Sequence, residues 1–190
     1  MQAHDAPLSP TVRARALELV RGLVRAVPDF PRPGILFRDI TPVLADPEGL
    51  TLALRLHLDA VRDLSGAVDH VVGVESRGFL FGMAVAERLK VGFSPVRKPG
   101  KLPSAVVEAS YALEYGEDRL QLHRDAFHPG ARVLLVDDLL ATGGTAEAAI
   151  RLIHELGGEV AGCLFLIELA GLGGRARLEP RRVEAILRYE

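Results

Sequence analysis

The chain has 190 residues, 23 Lys and Arg against 25 Asp and Glu, and a formal net charge of −2. That length allows a substantial buried core, and 48% hydrophobic with 25% charged residues excludes wholesale disorder. The near-neutral balance lacks the basic footprint of a general nucleic-acid binder, and the one cysteine permits no internal disulfide. No apolar run approaches the ~20 residues that cross a bilayer. Met1-Gln2-Ala3-His4-Asp5 has neither the basic start nor the apolar stretch of a signal peptide. The expectation is a soluble, cytoplasmic protein with neither nucleic-acid nor membrane partners.

Ser9-Pro10-Thr11 reads as a helix start, because proline in the first turn loses no needed hydrogen bond. Val12, Ala16, Leu19 and Leu23 continue it at helical spacing to about Val24. Three prolines and a glycine between Pro28 and Gly34 exclude a regular element there, predicting an irregular hood over about 28–42. A helix follows from Asp46-Pro47 to Leu64, then a buried strand His70–Val74, a helix Phe79–Lys90 and a strand Gly92–Val96. Arg97-Lys98-Pro99-Gly100-Lys101-Leu102-Pro103 is a basic loop. Alternation over Val106–Leu113, a turn at Gly116-Glu117-Asp118 and the segment Arg119–Leu122 predict a hairpin, so that loop and hairpin together span about 97–122. Val133–Val136 has the continuous apolar character of a strand buried on both faces of a parallel sheet. A helix Thr145–Leu156 and strands Val160–Ile167 and Val183–Leu187 complete the order. Alternating strands and helices with no repeat or linker predict one α/β domain over 1–190, a parallel sheet flanked by helices.

The stretch from Val133 to Thr145 carries the most chemistry. A buried strand is followed by Asp137 and Asp138, then a small-residue turn with Gly143 and Gly144, then a helix start. Ligands of open α/β sheets bind at that edge. Gly143 and Gly144 let backbone amides turn toward a phosphate, Thr142 and Thr145 add hydroxyls, and the helix N-terminus adds partial positive charge. The two carboxylates would repel a polyphosphate lying on them but accept hydrogen bonds from vicinal sugar hydroxyls. The order therefore describes a ribose 5-phosphate better than a nucleoside triphosphate. Neither a Walker loop nor a Gly-x-Gly-x-x-Gly fingerprint is present.

This stretch resembles the phosphoribosyl-pyrophosphate (PRPP) signature of the type I phosphoribosyltransferases. The resemblance implies that family's fold, with Asp137 and Asp138 on the ribose hydroxyls and Ala141, Thr142, Gly143, Gly144 and Thr145 around the 5′-phosphate. Glu75-Ser76-Arg77-Gly78 follows a strand, where an arginine can fork onto phosphate oxygens. By itself such a turn identifies nothing, but the family places its pyrophosphate loop here, implicating Ser76 and Arg77. On their residues Arg97, Lys98 and Lys101 read as a solvated basic loop, which is what most charge runs are, with a lid closing over pyrophosphate as the functional alternative. The resemblance favours the lid and implies that Arg97 reaches the active site of a neighbouring subunit in a homodimer.

Phe30–Pro42 and Ala109–Gly116 look like the hood and hairpin of the family's adenine-specific members. On its residues alone Leu36 reads as core and Glu114 as a solvated charge. The resemblance instead implies adenine contacts from Leu36, Arg38 and Leu169, proton relay by the catalytic Glu114, and Tyr115 packed over the lid. It further implies transfer of phosphoribose from PRPP to adenine, with Mg²⁺ arriving on the substrate and no metal held by a protein cage. Two alternatives stay open: an enzyme for a 6-oxopurine, and a non-catalytic PRPP-sensing regulator. The histidines at 4, 57, 70, 123, 128 and 154 show no metal-ligand spacing. Cys163, in an apolar strand, reads as an inert buried thiol.

Overall fold

Ser9 caps the first helix, its side chain accepting the Val12 N–H at 3.4 Å, and Pro10 occupies the first turn, so α1 runs Pro10–Leu23. The computed structural model describes residues 6–112 and 117–190. They fall into two compact units, Met1–Ala60 and Val61–Glu190.

In the first unit α1 is followed by β1 (Arg25–Pro28), β2 (Leu36–Asp39), α2 (Thr41–Ala45) and α3 (Pro47–Ala60). Ala16 and Val20 of α1 and Ala53 and Leu56 of α3 form its buried apolar face, and Arg13 pairs with Asp59 at 2.5 Å. The expected irregular hood is only partly irregular. Residues 25–28 and 36–39 form an antiparallel ribbon, Pro28 opposite Leu36 and Arg25 opposite Asp39. Pro28 ends β1, and the other breakers, Pro31, Pro33 and Gly34, lie in the connecting turn. Asp29 there adopts φ 57° and its carboxylate accepts the N–H of Gly34, itself at φ 84°. Asp39 accepts hydrogen bonds from the Thr41 hydroxyl and N–H and pairs with Arg25, which together hold its carboxyl down at about 2.

The second unit begins with a 3₁₀ turn, Arg62–Leu64; the predicted helix to Leu64 therefore stops at Ala60. Then come β3 (His70–Val74), α4 (Arg77–Leu89), β4 (Gly92–Val96), β5 (Val106–Ala112), β6 (Glu117–His123), β7 (Arg132–Leu140), α5 (Gly144–Glu155), β8 (Glu159–Leu169), a 3₁₀ turn Ala170–Leu172, α6 (Gly174–Leu178) and β9 (Val183–Tyr189). Five parallel strands lie in the order β4-β3-β7-β8-β9. This is the α/β architecture expected. Strand alternation divides the core. Val72, Val74, Val133, Leu135, Cys163 and Phe165 pack with α5 and the β5–β6 hairpin. Phe81 and Val85 of α4 are buried as well, α4 lying against β3, β4 and β7.

Glu117 and Asp118 belong to β6 rather than to a turn, because the hairpin register closes only at Ala112 opposite Glu117. Among the described residues no helix is long and apolar enough to cross a membrane.

Candidate active site

β3 and β7 are neighbours, yet the sheet grows from β3 to β4 on one side and from β7 to β8 and β9 on the other. A crevice opens at such a switch point, outside the carboxyl ends of the strands. Here the strands also differ in reach. β3 pairs with β7 through Gly73 opposite Val136, whereas β7 continues beside β8 to Leu140 opposite Glu168. The overhang lines a cavity of about 360 Å³ whose wall is residues 74–77 and 137–146 with Lys98, Tyr111 and Leu120.

Asp137 and Asp138 lie inside β7, not after its end as the sequence suggests, because β8 carries the ladder past them. Both are buried, at 8% and 7% exposure. Asp137 Oδ1 accepts the Asp138 N–H at 2.8 Å, and Asp138 Oδ2 lies 2.8 Å from Arg77 Nε. Burial, then the charge of Asp138, pushes the Asp137 carboxyl well above its ordinary range. Burial raises Asp138 too, with Arg77 opposing. Two buried carboxylates at a cavity, with a guanidinium on Asp138, suit a ligand that brings hydroxyl donors.

The turn into α5 supplies the opposite chemistry. Gly143 is its N-cap at φ 80°, and no side chain caps the helix start, so its first amides point toward the cavity with the helix's partial positive charge. This turn is set against the chain near α6. A Cβ on Gly174 would collide with the Ala141 carbonyl, and one on Gly143 would come within 3.0 Å of the Gly174 carbonyl. Arg175 holds that segment by a two-pronged contact with Glu168, 3% exposed, at 2.6 and 3.0 Å.

Opposite stands the β3–α4 turn, whose Glu75–Ser76 peptide is cis. Ser76 and Arg77 line the cavity directly, and Gly78 presses on Asp137: a Cβ there would meet Asp137 Oδ1 at 2.8 Å and the Val136 carbonyl at 2.9 Å. Lys98 lines the wall, but Arg97 and Lys101 do not. Arg97 Nε pairs with Glu75 at 3.1 Å, Nη1 donates to the Lys101 carbonyl, and its guanidinium lies 5.9 Å from the Phe79 ring centroid.

The structure thus gathers Ser76, Arg77, Lys98, Asp137, Asp138, Ala141, Thr142, Gly143, Gly144 and Thr145 around one cavity. Leu169, at the end of β8, is outside that wall. Leu36 and Arg38 belong to the first unit, where Leu36 is 47% exposed rather than core. Glu114 and Tyr115 lie outside the described residues. Sequence reasoning missed Tyr111 on the wall and Gly174 behind the turn, which join the site across the fold rather than along the chain, and the Glu168–Arg175 pair, which closes where the chain turns back after β8. Burial pushes the Cys163 thiol up to about 12. A thiol reagent should leave the native protein unmodified and react on addition of denaturant; stoichiometric labelling of the native protein would contradict that burial.

Residues 41–185 match the phosphoribosyl transferase domain family. That match omits the ribbon of the first unit, so relatives that span the chain are more informative. An adenine phosphoribosyltransferase of Francisella philomiragia is 51% identical over 91% of this chain and 99% of its own, and one of Sorangium cellulosum is 58% identical over 96% and 88%. The chain belongs to the adenine phosphoribosyltransferase family. Solved members superpose closely. That of Rhodothermus marinus has a TM-score of 0.87 at 53% identity, covering 93% of this chain and 99% of its own. That of Saccharomyces cerevisiae, solved with an imino-altritol bisphosphate and adenine, has a TM-score of 0.83 at 39% identity, covering 92% and 99%. The adenine phosphoribosyltransferase fold here therefore includes both the parallel sheet and the ribbon-bearing N-terminal unit.

Proposed function

We propose that the chain transfers the 5-phosphoribosyl group of PRPP to adenine, giving AMP and pyrophosphate, with 1–190 acting as one catalytic domain. The observation that carries the reading is the buried, incompletely compensated Asp137–Asp138 pair facing the uncapped start of α5 across one cavity. A sugar diol satisfies the first and a phosphate the second. The adenine assignment is supported by the relatives that match over nine-tenths of the chain.

In this reading the purine nitrogen attacks the anomeric carbon as its bond to pyrophosphate breaks, and positive charge grows on the ribose. Asp137 and Asp138 hold the ribose hydroxyls and lie beside that charge. Ala141 through Thr145 hold the 5′-phosphate. Ser76, Arg77 and Lys98 face the leaving pyrophosphate, and Arg97 and Lys101 join them only when residues 97–103 move inward. Leu36, Arg38 and Leu169 contact the base. Adenine presents a donor at its amino group and an acceptor at N1, the reverse of a 6-oxopurine, so a site paired to one leaves polar groups unpaired with the other. Glu114 relays a proton at the imidazole edge; Glu114→Gln should lower turnover more than PRPP affinity, and unchanged single-turnover rates would remove that role.

Mg²⁺ fits as part of the substrate, because Asp137 and Asp138 offer two carboxylates at the cavity and Mg²⁺ is commonly held by one or two carboxylates plus substrate phosphates. Arriving with the substrate, the ion would lie beside Asp137 and Asp138 and would supply neutralisation of leaving-group charge. A homodimer and a cytoplasmic location belong to the same reading; Leu80 and Met83, exposed on α4, are apolar surface that a partner subunit would cover.

The test is product formation from PRPP and Mg²⁺ with adenine, hypoxanthine, guanine and xanthine offered separately. AMP from adenine with little product from the others is expected. Preference for an oxopurine would overturn the base assignment, and no product from any base despite PRPP binding would overturn the enzyme.

A further inference from the structure

Asp118 occupies a place that the proposed chemistry does not use. It sits one residue into β6, its side chain 23% exposed. Its Oδ2 takes two partners at once, Lys98 Nζ at 3.0 Å and the Tyr111 hydroxyl at 3.2 Å, while Oδ1 accepts the Arg119 N–H at 2.8 Å. Lys98 and Tyr111 both line the cavity and Asp118 does not. The carboxylate therefore stands behind the wall and holds two of its members by their polar ends. Thr145, in the first turn of α5, lines the same cavity as Tyr111. One carboxylate thus joins the basic loop and the hairpin beside the cavity.

The Lys98 side chain is 56% exposed, so the value of the pair lies in where it holds the ammonium rather than in its own strength. Of the three cations of the 97–103 loop, Lys98 lines the wall while Arg97 is engaged with Glu75. Lys98 gains proton affinity chiefly from its hydrogen bond to Asp118. An ammonium has three donors, so a contact to Asp118 leaves two for an incoming oxyanion. A flexible lysine stem otherwise loses rotamer freedom on binding such a ligand. Holding it at the wall beforehand removes part of that cost.

We infer that Asp118 is a positioning residue for the pyrophosphate half of the substrate, fixing Lys98 and Tyr111 at the cavity wall. The inference rests on the PRPP reading above. Asp118→Asn keeps the size and, with its single amide oxygen on the Arg119 N–H, turns its NH₂ toward the Tyr111 hydroxyl, which can accept from it, but removes the charge opposite Lys98. It should raise the KM for PRPP about three- to ten-fold, more than it lowers kcat and with the KM for adenine unmoved. Calorimetry with inorganic pyrophosphate and Mg²⁺ should show the same weakening without any base present. The deciding comparison is a double-mutant cycle with Lys98→Ala. Once Lys98 is gone, Asp118→Asn should add little.

An unchanged KM for PRPP in Asp118→Asn would overturn the proposal. So would a full effect persisting in the Lys98→Ala background, or an equal rise in the KM for adenine, which would mark a merely structural role. A wild-type protein that binds pyrophosphate but prefers an oxopurine would refute the adenine assignment and leave Asp118 to be judged by the same cycle. Wild-type protein binding neither PRPP nor pyrophosphate would sink both.

Discussion

Gly78→Ala should lower kcat/KM for PRPP by about 100-fold, since a displacement near 1 Å at reacting groups costs on that order. The substitution looks benign by local rules, because alanine favours a helix over glycine by about 1 kcal/mol. The contact decides otherwise. The added Cβ would lie 2.8 Å from Asp137 Oδ1, 2.9 Å from the Val136 carbonyl and 3.0 Å from Asp137 Cα. Two of those three atoms are backbone of a central strand and cannot rotate away. The start of α4 must back off β7, carrying Arg77 away from Asp138. Overpacking of this kind also costs about 1–3 kcal/mol of stability. Steady-state kinetics with varied PRPP and a thermal melt check both effects; wild-type values in both would show that the helix and strand are not in the contact described.

Asp137→Asn should move stability and binding in opposite directions. The Asp137 carboxyl is raised from 3.8, first by burial and then by the neighbouring Asp138 charge. An acid whose folded pKa exceeds its unfolded value stabilises the fold fully below the unfolded value, near 3.8, and that contribution is lost as pH rises through the folded value. At any pH above the unfolded value, keeping this carboxyl in place therefore costs the empty protein stability. Asparagine removes the charge and retains an oxygen for the Asp138 N–H, so the melting temperature at pH 7–8 should rise by about 2–4 °C per kcal/mol recovered. PRPP affinity should fall by about 10-fold or more as a charged acceptor for a ribose hydroxyl is lost. In the wild type, affinity should also weaken at low pH, as protonation converts acceptors into neutral acids. A variant that is less stable yet binds PRPP normally would reverse both halves.

Both effects depend on contacts of different legibility. The strand, acid pair, glycine turn and helix from Val133 onward stand in one contiguous stretch, and local chemistry was enough to read their order. What lies behind them was not readable, because Gly78 against Asp137 and Gly174 against Ala141 are meetings of distant segments, and Arg175 reaches Glu168 only because the chain turns back after β8. Asp118 looks like part of a turn until Ala112 pairs with Glu117 and draws it into a strand. The ribbon of the first unit was hidden for another reason. Its prolines signal a break, and the break is real but confined to the turn between Pro28 and Leu36. Helices α2 and α6, five residues each, are too short for an apolar period to register. Leu36 shows the limit of residue type as a guide, since a leucine suggests core and this one is half exposed.

The central claim is that the buried acid pair reads a ribose diol while the turn before α5 holds its phosphate. Calorimetric binding of ribose 5-phosphate and 2-deoxyribose 5-phosphate tests it most directly, with wild type beside Asp137→Asn and Asp138→Asn. The account predicts that the deoxy sugar binds the wild type about 10-fold more weakly, and that the gap closes in at least one variant while phosphate-dependent binding remains. Equal affinity of the two sugars for the wild type would contradict it.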